Sequence, residues 1–227
     1  MFMADRAAEP IERPPIGAEI AGNRLQLIES GEERLATLLG LIAGARKCIK
    51  MLMYMFNADR AGAKVRDALV EAARRGVEVR ILIDGFGSSV PAGYFDLLNR
   101  IGGEECVFNP SYGRRYLLRN HQKLVIVDDV TAIIGGANIN DTYLCDRGAK
   151  HWRDLWLRLD GPEVVVPSQY FDILFRWSSS PHRPMRRRRA CRPPMRAARW
   201  RAAGVSACWG TWTSWTRRST PPITRTR

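Results

Sequence analysis

No apolar run in this 227-residue chain reaches the roughly 18 residues that a membrane-spanning helix requires. The longest candidates, 51–56 and 124–137, are short or broken by Asp128 and Asp129. Residues 1–15 are polar and proline-bearing, without the apolar centre of a secretory signal. Cysteine is sparse: five residues (Cys48, Cys106, Cys145, Cys191, Cys208), an odd number without metal-ligand spacing. That pattern gives no sign of a disulfide framework and points to a reducing compartment. Cys48 and Cys106, in apolar surroundings, read as small core hydrophobes. Histidine is scarcer still, with three in the chain. His151 and His182 belong to no recognisable motif and read as incidental, which leaves His121.

The last absence is of acids near the C-terminus. Residues 178–227 hold 13 arginines and no lysine, aspartate or glutamate. Of 36 basic residues, 23 therefore fall in residues 1–177, together with all 23 acids. The net charge of +13 sits wholly in the tail, so the basic character of the chain does not mark a nucleic-acid-binding domain. The tail also carries six prolines and four of the seven tryptophans, with no amphipathic period. We read it as disordered. It is either a natural basic arm for anionic lipid or nucleic acid, or the product of out-of-frame translation of a GC-rich gene. The abrupt loss of pattern after Trp177 favours the second.

What remains is patterned throughout. Residues 23–28 alternate as a strand. Ser30, followed by Glu32 and Glu33, caps a helix whose Leu35, Leu38, Leu39 and Ile42 recur at helical spacing. Residues 48–56 form a buried strand in which the methionines are core filler. Residues 61–75 form a helix ended by Gly76, and 77–83 the next strand. The loop Asp84-Gly85-Phe86-Gly87-Ser88 either lines a site or is a plain turn. A short helix at 94–101, strands at 105–108, 124–127, 131–136 and 152–159, and a helix at 163–177 complete the series, with 131–136 paired to the strand before it through a turn near Asp129. Pro167 falls early in that last helix and can shift its start. Helices alternating with buried strands imply an α/β layered domain, with a mixed, mostly parallel sheet flanked by helices. The division expected is a flexible extension at 1–22, a folded domain at 23–177 and the tail at 178–227.

Within it, Asn120-His121-Gln122-Lys123 opens the apolar run Leu124-Val125-Ile126-Val127, and Asp128 closes it. Two residues apart on a strand, His121 and Lys123 share a face. An imidazole beside an ammonium suits attack on a phosphate: the lysine holds the phosphoryl charge while the histidine attacks or moves a proton. Asp128, an odd number of positions away, takes a supporting role. Gly135 and Gly136 allow backbone to approach a ligand, and Asn138 offers an amide to a phosphate oxygen. Arg114, Arg115 and Arg119 either bind an anionic headgroup or form an exposed basic loop.

These residues match a known pattern. His121, Lys123 and Asp128 fit the H-x-K-x(4)-D motif, and Gly135-Gly136-Ala137-Asn138 fits its G-[SG]-x-N extension, so residues 23–177 resemble the phospholipase D superfamily. The stretches Leu25-Gln26-Leu27-Ile28-Glu29-Ser30-Gly31, Val79 through Ser88, Trp152-Arg153-Asp154 and Gly161-Pro162-Glu163 are similar to the N-terminal half of bacterial cardiolipin synthases of that type. The resemblance implies phosphatidyl transfer or phosphodiester cleavage through a phosphohistidine, without metal or other cofactor. His121, Lys123 and Asp128 would be the catalytic set, with Asn138, Gly135, Gly136 and Arg119 on the phosphate. The expected partner is an anionic phospholipid such as phosphatidylglycerol, met peripherally at the inner membrane surface from the cytoplasm. Gly136 stands where many relatives have serine, which removes one hydroxyl contact.

Such enzymes carry two motifs, and this chain has one H-x-K. A homodimer would supply the second, or a second half has been lost near Trp177; we expect the latter. The alternatives are a homodimeric nuclease of the same superfamily and an inactive lipid-binding half-domain. Nucleic acid is the less favoured partner, because residues 1–177 are formally neutral.

Overall fold

The computed structural model describes residues 16–108, 119–146 and 151–180, all within the unit Met1–His182. In chain order the elements are β1 (Gly17–Ile20), β2 (Asn23–Ile28), α1 (Gly31–Gly44), β3 (Cys48–Met53), α2 (Arg60–Arg74), β4 (Glu78–Asp84), α3 (Asp96–Arg100) and β5 (Glu104–Phe108). Then come β6 (Leu124–Val127), β7 (Thr131–Gly135), β8 (Trp156–Asp160), a 3-10 turn (Pro162–Val164) and α4 (Val165–Ser179).

β3 is buried at all six positions, as an apolar strand covered on both faces should be. It lies inside an eight-stranded sheet of order β1-β2-β8-β7-β6-β3-β4-β5. Alternation along the strands sorts the core into two layers. Ile49, Met51, Met53, Ile81, Ile83, Val125 and Ile133 meet Leu38 and Ile42 of α1 and Val65 and Leu69 of α2. Leu52, Leu82, Leu124, Ile126 and Ala132 meet Phe171 and Phe175 of α4. The α/β class holds, but the sheet is not mostly parallel. β3–β4 and β4–β5 are parallel, and the other five pairings are antiparallel. The turn between β6 and β7 is the local cause. Asp128 and Asp129 both take positive φ, 56° and 58°, the conformation that a tight hairpin demands. A hairpin can only return antiparallel.

Residues 17–20, read as part of a flexible extension, form edge strand β1, paired with β2 across a turn at Ala21 and Gly22. β3 ends at Met53, before Phe56, and β8 starts at Trp156, four residues later than its pattern suggested. The early stop of β3 and the late start of β8 release backbone that builds the site. α4 starts at Val165, after the proline turn and ahead of Pro167. The lone cation on β3, Lys50, anchors α4. Its Nζ donates to Ser168 Oγ at 2.7 Å and Asp172 Oδ2 at 2.9 Å, and lies 3.0 Å from Asp129 Oδ1. Burial opposes the ammonium, but these partners prevail and raise the Lys50 pKa.

Candidate active site

Strand directions gather one set of ends. β3 and β4 run parallel, so Tyr54 and Asp84 emerge on the same side of the sheet. β6 runs opposite to β3, so its start, Lys123, is there too. The end of β7 and the approach to β8 follow by the same rule, with Gly135 opposite Trp156. Irregular backbone beyond these ends carries the polar groups, as is usual for sites at the carboxyl ends of parallel strands.

His121 and Lys123 lie just ahead of β6 rather than inside it, and still converge. Lys123 is 4% exposed. Its Nζ donates to the His121 carbonyl at 2.6 Å and stands 3.0 Å from Nδ1 and 3.3 Å from Nε2 of the ring. His121 is exposed at the rim, its ring centroid 4.4 Å from that of Tyr54; the same tyrosine face meets Lys123 Nζ at 5.2 Å. Desolvation and then the adjacent ammonium hold the His121 imidazole below its ordinary 6.5, against an upward pull from Asp84. Desolvation also lowers Lys123 from 10.5, opposed by Asp154.

Asp84, with no exposed surface, fixes the approach. Its Oδ2 accepts from Asn120 N–H at 3.0 Å, and its Oδ1 from Phe86 N–H at 2.9 Å and Gly87 N–H at 3.1 Å. The carboxylate thus ties the loop after β4 to the residue before His121. Arg119 lies over the Phe86 ring of that loop, 4.0 Å from its centroid. Of the two readings of the Asp84–Ser88 segment, the one that places it at the site fits. Arg114 and Arg115 fall outside the described residues.

Asn138 is 2% exposed, and its Oδ1 accepts from Met55 N–H at 3.1 Å. Its neighbour Ile139 pairs with the chain beyond β3: Ile139 N–H donates to Met55 O at 3.1 Å, and Asn57 N–H to Ile139 O at 3.0 Å. The strand stop at Met53 therefore makes room for the Asn138 segment. A Cβ on Gly135 would overlap the Leu155 carbonyl oxygen, and one on Gly136 would stand 2.7 Å from Asp154 Oδ2. Gly136 is thus the space into which the Asp154 carboxylate reaches.

Asp128 does not join this group. It sits at the opposite end of β6, about 17 Å of extended chain from Lys123. Its Oδ1 accepts from Lys47 N–H at 2.7 Å and Cys48 N–H at 3.0 Å, and its Oδ2 from Arg46 N–H at 3.0 Å. It closes the turn into β3, so the structure places Asp128 apart from His121 and Lys123, where it supports the fold.

A profile of the family described as cardiolipin synthase, phospholipase D-like domain, matches residues 38–166. The chain belongs to the phospholipase D superfamily. It is 36% identical over 166 residues to the major cardiolipin synthase ClsA of Bacillus subtilis, a match covering 70% of this chain and 34% of that protein. The chain therefore spans about a third of the length of that relative. Two solved structures share the fold. NucT from Helicobacter pylori has a TM-score of 0.56 at 19% identity, over 69% of this chain and 97% of its own. Phosphatidylserine synthase from Haemophilus influenzae has a TM-score of 0.56 at 18% identity, over 71% and 38%.

Set in the phospholipase D fold, three residues gain parts that sequence reasoning gave them weakly or not at all. Tyr54 packs on both motif side chains, and Asp154 faces Gly136 and pulls on Lys123. Arg34, 1% exposed, donates to the carbonyls of Glu29 (2.7 Å), Tyr143 (2.6 Å) and Asp154 (2.5 Å). Its signal was its place on the stripe of Leu38 and Ile42, four residues apart, where a solvated arginine does not belong.

Proposed function

We propose that this chain carries one half of a two-histidine phosphatidyl-transfer site acting on an anionic phospholipid, in the manner of a cardiolipin synthase. The observation that carries the reading is Lys123 Nζ at 3.0 Å from the His121 imidazole, at a sheet end ringed by Asn138, Gly136 and Asp154. A depressed pKa keeps His121 neutral at pH 7, the form that attacks. An imidazole nitrogen forms a bond to phosphorus while the headgroup oxygen leaves and takes a proton. That proton comes from the histidine of a second motif, supplied by a second copy of this chain or by another half-domain. The acceptor alcohol then gives its proton back to that histidine and displaces His121 from phosphorus. Lys123 places positive charge beside the non-bridging oxygens as they gain charge. Asn138 Oδ1 is held by Met55, so what the residue offers phosphate is its amide N–H. Asp154 and Asp84 hold Lys123 and His121 in place. With one H-x-K in the sequence, the isolated monomer lacks the proton donor.

The test is an acid- and alkali-quenched single turnover of the full chain, as a dimer or with a half-domain bearing a second motif, on vesicles of a dialkyl ether phosphatidylglycerol labelled in the headgroup or in the alkyl chains. A chain-labelled adduct on His121 without headgroup label, stable in alkali, labile in acid and absent from His121→Ala, is the expected result. Turnover to cardiolipin is expected only from a dimer or after addition of a half-domain bearing a second motif. Robust turnover by a proven monomer would overturn the reading. Cleavage of DNA in EDTA with no lipid adduct would replace it with a nuclease.

A further inference from the structure

Next to His121 and Lys123, the same end of the sheet holds a second concavity. β8 starts opposite the end of β7, with Gly135 facing Trp156, and β2 ends opposite the start of β8, with Ile28 facing Trp156. Just beyond those ends, Glu29, Ser30 and residues 151–155, with Arg34 and Asp146, line a cleft of about 760 Å³, within the range of small-molecule sites. β6, which Lys123 immediately precedes, lies two strand spacings from β8, about 10 Å. Asp154 belongs to both places. It lines the cleft, and its carboxylate reaches over Gly136 and supports the Lys123 ammonium.

The walls of the cleft are braced from behind. Arg34, 1% exposed, donates to the carbonyls of Glu29, Asp154 and Tyr143. The first two carry carboxylates at the cleft, and the ring of the third stacks on Trp152, centroids 6.0 Å apart at 29°. One buried guanidinium thus sets the spacing of two acids and an indole plate. Asp146 is committed to the start of α1, where it accepts from Gly31 N–H at 2.6 Å and Glu32 N–H at 2.9 Å. The groups that face solvent are the Glu29 carboxylate, the Arg153 guanidinium and the Trp152 indole, the last 63% exposed. Among the described residues, no hydrogen bond or ion pair engages the side chain of Glu29 or Arg153.

These groups select by charge. A phosphate in the cleft would face Glu29 and Asp154, and an ammonium would face Arg153. A neutral polyol suits both signs: its hydroxyls donate to the carboxylates and accept from the guanidinium, and its C–H face lies on the exposed indole. A zwitterion would also find both charges, but exposed ion pairs contribute little, and it would leave the indole face uncovered.

We infer that the cleft between Glu29 and the Trp152-Arg153-Asp154 segment binds the polyol part of the reacting alcohol, a glycerol unit extending from the phosphorus at His121. The inference rests on the phosphatidyl-transfer reading of that site. The glycerol unit belongs either to the headgroup that leaves or to the acceptor that replaces it, and both present the same hydroxyls to the same walls. Asp154, shared by the cleft and the Lys123 ammonium, sets the alcohol beside the phosphate.

Glycerophosphoglycerol and glycerol, both soluble, test this on the full chain through the indole N–H resonance of Trp152, assigned with Trp152→Phe. Glycerophosphoglycerol should shift that resonance saturably. Glu29→Gln and Arg153→Gln should each weaken binding by up to about tenfold, the worth of one hydrogen bond to a charged group, while melting with the wild type. Glycerophosphoserine and glycerophosphoethanolamine should bind more weakly than glycerophosphoglycerol. Equal or tighter binding of either, or unchanged binding in both variants, would overturn the inference. A shift produced by glycerol alone marks the acceptor, and one that needs the phosphodiester marks the leaving headgroup; no shift with either compound overturns the cleft as a polyol site. Polyol binding without any adduct on His121 keeps the cleft and removes the transfer reading. An adduct on His121 with no response at Trp152 does the reverse.

Discussion

Lys123 donates to the carbonyl oxygen of His121 at 2.6 Å while its ammonium stands 3.0 Å from the ring of the same residue. One cation thus fixes the backbone of His121 and, with desolvation, lowers the proton affinity of its imidazole. Lys123→Met should raise the His121 pKa toward 6.5, because the ammonium is, after desolvation, the second cause of its depression. By NMR titration the wild-type midpoint is expected below 6.5, and the variant midpoint above that of the wild type. The acid limb of any activity profile should move the same way, with turnover down by about 10²–10³ from lost charge stabilisation. An unmoved midpoint would mean that Lys123 does not act on the ring.

The neighbouring glycines Gly135 and Gly136 differ in what they exclude. At Gly135 a methyl group would run into the Leu155 carbonyl, which accepts from Gly136 N–H, and come within 2.8 Å of the side chain of Trp156, which β8 pairing holds. At Gly136 it would meet the carboxylate of Asp154, a side chain able to swing aside. Gly135→Ala should therefore destabilise by about 2–3 kcal/mol and Gly136→Ala by less than about 1 kcal/mol. In a domain of this size that separates the two melts by several degrees. Gly136→Ser should fold well, yet lower the Lys123 pKa further, because the displaced Asp154 no longer supports the ammonium.

Much of this was legible before any coordinates. Among the described residues, the sequence pattern placed all four helices and seven of the eight strands, because burial on one or both faces leaves a direct record in sequence. β1 left none: all four of its residues are exposed, and its pairing rests on backbone hydrogen bonds that any sequence can make. The hairpin through the turn near Asp129 was legible and is there as β6–β7; what no local signal records is that β6 also pairs antiparallel with β3, and β8 with β2 and β7. His121, Lys123 and Asn138 were found by spacing. Tyr54 and Arg34 were harder, since each acts across more than 60 residues of sequence, and so was Asp154, because only the β7–β8 pairing brings it to Gly136.

Arg34 is the clearest stability test. Its guanidinium spans the carbonyls of Glu29, Tyr143 and Asp154 from inside α1. Lysine keeps the charge but not the fork, so Arg34→Lys should cost about 2–3 kcal/mol, and Arg34→Met more, with three carbonyl groups left without their donor. Urea titration gives both numbers. Because Arg34 holds the Asp154 backbone, Arg34→Lys should also lower turnover at temperatures where it remains folded.

Asp128 gives the opposite signature, stability without chemistry. Desolvation would raise its pKa, but the amides of Lys47, Arg46 and Cys48 outweigh that, and the folded carboxyl titrates below its ordinary 3.8. A group depressed on folding stabilises above its unfolded pKa, and the contribution fades as pH falls through the folded value. Asp128→Ala removes three acceptor contacts and places alanine at φ 56°, which aspartate and asparagine tolerate better. It should cost about 2–4 kcal/mol at pH 7. Asp128→Asn, with one carbonyl oxygen and the same backbone tolerance, should cost about half of that. Both variants should show a flatter loss of stability below pH 4 than the wild type, measured by urea titration at several pH values. Turnover per folded molecule should stay within about twofold of the wild type, because the turn that Asp128 closes is a strand length away from His121. A loss of turnover as large as that of Lys123→Met, in a variant shown to be folded, would put Asp128 back in the catalytic set.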